Sequence, residues 1–398
     1  MALTDQQIDS LARDAIARAQ AGDFPAAENL FAKAAEARPN SGQLQHLLGQ
    51  ARLKLGRFAE AREPLQRAAQ FMPREAAAQV NLAGCLSMLG DHQAALAALE
   101  RAARLRLADA AIAHNRGRAL EALGRLDEAE RAYDEALAID HRLQPALTAR
   151  ADLLAARGDW MGALADLDMA LVTRPGDVDL RLRRARILLR QGDWLRGLED
   201  YEARLELPGL YAPPLPRWRG ETLAGRLLLY PEQADIESDA ALRDTLMLAR
   251  GIDGPIQCAV QCAERLADVL DLPTVRRGEP LEGFAAAAPL RSLPRLLGWT
   301  LQSLPSAPPL RLKAEPAAKV GWFTGHEPPA GVTIERDPAK VGECRSVTGD
   351  DVWPVHLAAR LGIETTILLG PSPDWLWGPT DGQSPWYSAA RVKHASAG

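Results

Sequence analysis

The chain is poor in the residues that would place it in several large classes. Four cysteines in 398 residues are too few for a disulfide framework, and a reducing, cytoplasmic setting is expected. No stretch approaches the ~18 consecutive apolar residues of a membrane span. The opening MALTDQQIDSLARDAIARAQ has no basic stretch leading into an apolar one. Neither an integral membrane segment nor a secretory leader is therefore expected. A net charge of −5 gives no basic excess of the kind that nucleic acid attracts, so no nucleic-acid partner is expected. The sequence has no Walker loop, GxGxxG fingerprint, HExxH pair or GxSxG elbow, the signatures of the common phosphate, dinucleotide, zinc and serine-nucleophile sites. Cys258 and Cys262 lie four apart with no further ligands at zinc spacing. They read as apolar residues of a strand-to-helix junction, and no metal site is expected.

Proline is scarce in the first half: six of 28 precede Leu207, as do two of nine tryptophans. Because proline interrupts helices, the first half is free to be helical and the second cannot continue it. The change falls at LPGLYAPPLP, Leu207 to Pro216, a stiff connector of extended character. Two domains are expected, 1–207 and 208–398.

Within the first, Gly22, Gly56, Gly90, Gly124, Gly158 and Gly192 recur every 34 residues. Five residues after each comes a small residue (Ala27, Ala61, Ala95, Ala129, Ala163, Gly197), and four later a bulky one (Phe31, Leu65, Leu99, Tyr133, Leu167, Tyr201). A glycine turn, a small residue for close helix approach and a bulky residue one turn on predict stacked helix pairs. In this the segment resembles the tetratricopeptide (TPR) family, whose period is the same. The expectation is an all-α six-repeat TPR solenoid, with repeats beginning near Ile8, Gly42, Ala76, Ala110, Gln144 and Val178. Pro64, inside a second helix, predicts a local bend.

Such solenoids leave the first helices lining a groove for a protein or peptide partner. The sixth position of each first helix faces it: Arg13, Leu47, Asn81, Asn115, Ala149 and Arg183. An asparagine amide can donate to and accept from a peptide backbone at once. Asn81 and Asn115 are thus groove candidates, or else they solvate the face or bond a neighbouring helix. Arg183, Arg186 and Arg190 form a basic stripe in the sixth repeat. They read either as a site for an acidic peptide or a docking domain, or as partners of nearby carboxylates such as Asp152 and Asp179.

The second half alternates in an α/β manner. Strands are expected over 226–230, 255–260 and 364–369, and helices over 239–250, 263–270 and 355–361. Its segments WRGETLAGRLLLYPEQ from Arg217, FAAAAPLRSLPRLLGWTLQSLPSAPPL (284–310), KVGWFTGH (319–326), HLAARLG, PDWLW and SPWYSAAR resemble the glycosyltransferase-like domain that follows TPR repeats in many bacterial proteins. That domain is related to glycosyltransferase family nine, the heptosyltransferases. The resemblance implies two α/β lobes with a nucleotide-sugar donor between them. The expected fold is a smaller α/β domain, reduced from that GT-B-like plan.

The sequence departs from the family in two places. EQADIESD (232–239) lacks the glycine of the family's phosphate-approaching loop, carries Asp235, Glu237 and Asp239 instead, and offers Ser238 as a helix N-cap. Only 24 residues separate His326 from Asp351, fewer than the ~30 of one βαβ unit. One strand, a loop, one helix and another strand are expected there, and no second lobe of ordinary size. Of the family's donor motif Asp351 and His356 remain as candidate nucleotide-sugar contacts, with Val352 in place of a hydroxyl residue; His356 reads more readily as a core or helix-terminal histidine. Trp375, Trp377, Trp386 and Tyr387 read as packing residues or as a sugar platform. No catalytic residue is assigned and no cofactor is expected, a nucleotide sugar being at most a substrate. The resulting expectation is an interaction scaffold with an inactive glycosyltransferase-like domain. The alternative is a glycosyltransferase acting on a protein or glycan held by the groove.

Overall fold

The computed structural model describes residues 3–106, 108–249, 256–267, 270, 272–300, 303, 319–324, 334–336, 338–370, 373–377 and 382–394. The chain divides into two compact units, Met1–Pro175 and Gly176–Gly398.

Unit 1 is helical: α1 (Asp5–Gln20), α2 (Phe24–Ala37), α3 (Gly42–Lys54), α4 (Phe58–Phe71), α5 (Ala76–Met88), α6 (His92–Leu105), α7 (Ala110–Ala122), α8 (Leu126–Ile139), α9 (Gln144–Ala156) and α10 (Trp160–Thr173). Each turn glycine takes a φ of 72° to 82°. A Cβ on any of them would meet nothing within 4 Å. Left-handed backbone, not crowding, is therefore what demands glycine there. The next amide reaches back five residues, as Asp23 N to Arg18 O at 3.0 Å and Asp91 N to Leu86 O at 2.9 Å, closing the helix end. Asp23, Asp91 and Asp159 then cap the following helix through their side chains.

The periodic small residues Ala27, Ala61, Ala95, Ala129 and Ala163 are fully buried, and Phe31, Leu65, Leu99, Tyr133 and Leu167 nearly so. The bulky residue packs into a notch on its own repeat's first helix. A Cβ on Gly49 would lie 2.5 Å from Leu65, and one on Gly117 2.4 Å from Tyr133. The Tyr133 hydroxyl donates to Glu121 at 2.7 Å, so the buried phenol is satisfied. Pro64 is buried inside α4, which runs through it.

Unit 2 opens with a sixth helix pair, α11 (Val178–Arg190) and α12 (Trp194–Tyr201), and a 3-10 turn, Glu202–Glu206. A first sheet follows: β1 (Arg226–Tyr230), β2 (Cys258–Gln261), β3 (Thr274–Val275) and β4 (Phe284–Pro289), in the order β3-β2-β1-β4 with every pair parallel. Helices α13 (Asp239–Leu248), α14 (Glu264–Ala267) and α15 (Leu293–Leu296) come after β1, β2 and β4. The second sheet holds β5 (Lys319–Phe323), β6 (Ile334–Glu335), β7 (Cys344–Asp350), β8 (Glu364–Leu369), β9 (Gly382–Gln383) and β10 (Ala390–His394). Its order is β6-β5-β7-β8-β10-β9, parallel except between β9 and β10. Helix α16 (Trp353–Arg360) joins β7 to β8.

The expectations for this half need three adjustments. Helix 355–361 begins earlier, at Trp353, because Pro354 fits a first helical turn. Helix 263–270 is described over Glu264–Ala267, and residues 268 and 269 lie outside the described residues; Leu270 N still bonds Leu266 O at 3.3 Å. The strand 255–260 starts at Cys258, its Pro255 lying outside the described residues, as does Arg250 of the helix 239–250. Between His326 and Asp351 the expected helix is a 3-10 segment, Pro338–Glu343, between β6 and β7.

One buried cluster joins Ala185, Leu189, Trp194 and Leu198 of the sixth helix pair to Leu227, Leu229 and Val260 of the first sheet and to Val347, Ile367 and Val392 of the second. The opposite face of the first sheet, with Leu228, Tyr230, Ala259 and Ala287, is covered by Tyr211 and Leu215 of the connector. Tyr211 N bonds Glu232 O, and Pro216 O accepts from Ala287 N, each at 2.8 Å. The connector is thus held along the sheet.

Candidate functional site

The groove candidates lie on the first helices of unit 1. A cavity of about 490 Å³ opens against α3, with Leu47, Leu53 and Lys54 from that helix, Ile16 from α1, Phe24 and Phe31 from α2, and Asn81 from α5. A neighbouring cavity of about 340 Å³ lies against α5, with Gly84 and Met88 in its lining, Phe58 from α4, and Asn115 and Arg118 from α7. Leu53 lines both. Asn81 and Asn115 therefore stand in adjacent cavities, each half-buried. The Asn81 amide nitrogen lies 2.6 Å from His46 Nε2, so part of its capacity serves a neighbouring helix and its amide oxygen remains. Burial lowers the pKa of His46, with a hydrogen bond to the Ala77 backbone acting the other way. His114, beside Asn115 and 5.9 Å from the Tyr133 ring, is lowered by burial and by Arg118.

The three arginines of α11 differ from one another. Arg183 donates to Asp179 at 2.7 Å, and Arg190 is half-buried. Arg186 is exposed and makes no ion pair among the described residues. Sequence reading missed the other face of α11, where Arg184 grips the buried Asp200 with Nε at 2.6 Å and Nη2 at 3.0 Å.

In unit 2, Asp351 directly follows β7 and His356 sits on α16. The structure brings them together, with His356 Nε2 2.8 Å from Asp351 Oδ1 and His356 Nδ1 2.9 Å from the Tyr387 hydroxyl. His356 is fully buried, and its ring centroid is 5.7 Å from those of Trp377 and Tyr387. Both ring nitrogens face protein partners, the geometry of a core histidine.

Around this pair lies a set of charges that sequence reading did not find. Arg243 of α13 donates to Asp351 at 3.0 Å and to Asp374 at 2.9 Å. Arg291, after β4, donates to Asp374 at 2.7 Å and to both oxygens of Asp244 at 2.7 and 2.9 Å. Gln233 adds a bond to Asp244 at 2.8 Å. Burial alone would raise Asp351, but the hydrogen bond from His356 and the Arg243 charge outweigh it and hold the carboxyl at about 2. Asp244 is likewise lowered, the Arg291 charge overcoming burial.

The acidic segment 232–239 is engaged in the fold. Glu232 accepts from buried Arg204 at 2.9 Å, and Asp235 Oδ1 accepts from Glu237 N at 2.9 Å. Asp239 Oδ1 accepts from Trp353 N at 3.2 Å. Ser238 caps α13, as its position suggested. Trp377, Trp386 and Tyr387 are buried as packing residues. The rings of Trp386 and Trp194 stack at 6.2 Å, and Trp386 Nε1 donates to Leu376 O at 2.6 Å. The side chain of Trp375, and the residues beyond Thr324 in KVGWFTGH, lie outside the described residues. Among the described residues no group of acids, histidines or cysteines has the arrangement of a metal site. No helix among them is long and apolar enough to cross a membrane.

Three stretches match tetratricopeptide repeat family profiles: residues 18–82, 110–143 and 148–208. No curated protein matches the chain. Among solved structures, a thermophilic TPR protein of Thermus thermophilus is 28% identical, with 46% of this chain and 99% of that one covered and a TM-score of 0.38. PilF of Pseudomonas aeruginosa is 18% identical, covering 52% and 94% with a TM-score of 0.46. A tetratricopeptide repeat protein from Parabacteroides merdae is 20% identical, covering 53% and 82% with a TM-score of 0.45. The glycine turns, the buried small and bulky layers and the profile matches agree: tetratricopeptide repeats run across residues 18–208.

Proposed function

We propose that this chain is a protein–protein interaction scaffold whose repeats hold an extended segment of a partner, and that its α/β part is a glycosyltransferase-like module without sugar transfer. The observation that carries the first half of this reading is the cavity of about 490 Å³ on the first helices, apolar within and edged by Asn81 and Lys54. A cavity of that size accepts one or two side chains, and a polar rim can fix a peptide backbone. The test is capture of partners from a cell extract by the parent chain and by Leu47→Glu, with helicity checked by circular dichroism. Partners lost on the variant support the reading; an identical set on both refutes it.

The second half rests on the buried charges. The residues that would meet a nucleotide sugar, Asp351 and His356, are bound to Arg243 and Tyr387, and the acidic segment 232–239 would repel a diphosphate. One observation favours the alternative of an active transferase: unit 2 contains two largely parallel sheets in succession, as the resemblance implies for a fold that binds its donor between lobes. Calorimetric titration with a panel of nucleotide sugars separates the two. Measurable binding that is lost in the Asp351→Asn, His356→Ala double variant, joined by transfer to an acceptor, would put the alternative first.

A further inference from the structure

The first-helix glycines Gly49, Gly84 and Gly117 of unit 1 have different surroundings. Gly49 and Gly117 are notches filled by Leu65 and Tyr133. Gly84 lies in the interior of α5, where glycine costs helix stability relative to alanine. A Cβ there would meet nothing within 4 Å, and its φ is not in the left-handed range. Neither packing nor backbone conformation within the chain therefore requires it. Gly84 lines the cavity against α5, so the missing side chain widens the space an occupant would fill.

The lining is also one-sided in charge. Lys54 in the first cavity and Arg118 in the second have no carboxylate beside them in either lining. Elsewhere in this unit arginines hold acids: Arg52 and Arg57 share Glu28, and Arg157 pairs with Asp127 and Glu130. Lys54 and Arg118 make no ion pair among the described residues. Two unpaired cations beside apolar cavities, in a chain of net charge −5, attract an anionic ligand with apolar side chains.

Spacing follows from the helices. The two cavities sit against α3 and α5, first helices of successive repeats that touch each other. Packed helix axes lie about 8–10 Å apart, and an extended chain advances about 3.3 Å per residue. One repeat therefore spans about three residues of peptide. We infer that the groove of unit 1 is shaped for an extended acidic segment with two apolar side chains about three residues apart, one seated by Phe31 and Leu47 and the other over Gly84. This rests on the scaffold reading and adds the chemistry of its partner.

The test uses the full chain and a positional-scanning library of fluorescent dodecapeptides read by polarisation. The expected selection is leucine, phenylalanine or methionine at two positions three apart, with aspartate or glutamate between and beside them. For the best peptide, Gly84→Ala should bind roughly tenfold more weakly while its melting temperature rises, since the added methyl favours the helix and fills the cavity. A purely structural glycine would not weaken binding. Lys54→Glu with Arg118→Glu should shift the selection from acidic to basic residues. Selection of basic peptides, of a single apolar anchor, or full affinity in Gly84→Ala would overturn the inference. If Leu47→Glu still abolishes partner capture, the scaffold reading survives that failure. If capture is also unaffected, both fall.

Discussion

Replacing Asp244 by alanine tests whether buried charge holds unit 2 together. Asp244 is 1% exposed and accepts from Arg291 Nε at 2.7 Å, Arg291 Nη2 at 2.9 Å and Gln233 Nε2 at 2.8 Å. Without it, Arg291 Nη2 keeps Asp374 at 2.7 Å and Nη1 keeps the Tyr201 hydroxyl at 2.9 Å. Arg291 Nε and Gln233 Nε2 are left without an acceptor. Each orphaned buried donor costs about 1–3 kcal/mol, so the two together bracket the ~3–5 kcal/mol of breaking a buried pair. The better helix propensity of alanine returns only ~0.5 kcal/mol. A net loss of about 3 kcal/mol corresponds to roughly a hundredfold rise in the opening equilibrium. Hydrogen exchange read by mass spectrometry should show it in peptides from β1, α13 and β4, while peptides from α3 to α8 keep the parent's protection. Replacing both partners, Asp244→Leu with Arg291→Met, should recover much of the loss, because an apolar pair leaves no stranded charge and Asp374 retains Arg243. Exchange in unit 2 of the single variant within about threefold of the parent would refute the reasoning.

Gly117→Ala should destabilise unit 1 by about 1–3 kcal/mol in thermal denaturation, since the new Cβ would sit 2.4 Å from the buried Tyr133 ring. A neutral result would mean that the ring has room to move. Asp351, held at about 2 against an ordinary 3.8, contributes stability that is fully present above pH 4 and is lost as pH falls through 2. The sign is that of a depressed carboxylate, and about 2 kcal/mol is at stake. Asp351→Asn should flatten the acid limb of unit 2, and an unchanged limb would assign it to other carboxylates. Asn81→Ala should weaken a bound peptide by ~1 kcal/mol in a polarisation titration, whereas undiminished affinity would leave His46 as the partner that explains this asparagine.

The repeat register was legible because it is written in local backbone chemistry. Helices α3, α5, α7, α9 and α11 begin at Gly42, Ala76, Ala110, Gln144 and Val178, the starts that the glycine period implies. The first begins at Asp5 instead, because Thr4 and Gln7 form a capping box ahead of the period. The eighth position of each first helix went unread, although Ala15, Gly49, Ala83, Gly117, Ala151 and Ala185 recur at the same period, and Gly49 and Gly117 among them are the notches for Leu65 and Tyr133. In unit 2, β1 and β8 stand where apolar runs placed them. The strand β4, FAAAAP, did not, since alanine has little strand preference. It is a strand because small residues fit beside β1, with Ala286, Ala287 and Ala288 paired to Leu227, Leu228 and Leu229. The charges escaped for a different reason. Arg243 and Asp351 are 108 residues apart and Arg291 and Asp374 are 83 apart. No local pattern ties such partners, and only the resemblance directed attention to Asp351 and His356.

Sequence period and compact unit part company at the sixth repeat. By spacing α11 and α12 continue the solenoid, yet Ala185, Leu189, Trp194 and Leu198 are buried in one cluster with both sheets of unit 2. Truncation after Leu207 removes those partners. Uncovering Leu189, Leu198 and Trp194, each at or below 3% exposure, forfeits ~1.5–3 kcal/mol per side chain. Isolated helices shorter than about 12–15 residues are marginal in water, and α12 has eight residues. A fragment spanning 1–207 should therefore keep protected amides through α2 to α9 and exchange rapidly across 178–201. A fragment ending at Pro175 should be no less stable than the longer one. Full protection of 178–201 in the longer fragment would show that the repeats alone suffice to hold the last pair, and the burial of Trp194 against Trp386 would then be incidental to its folding.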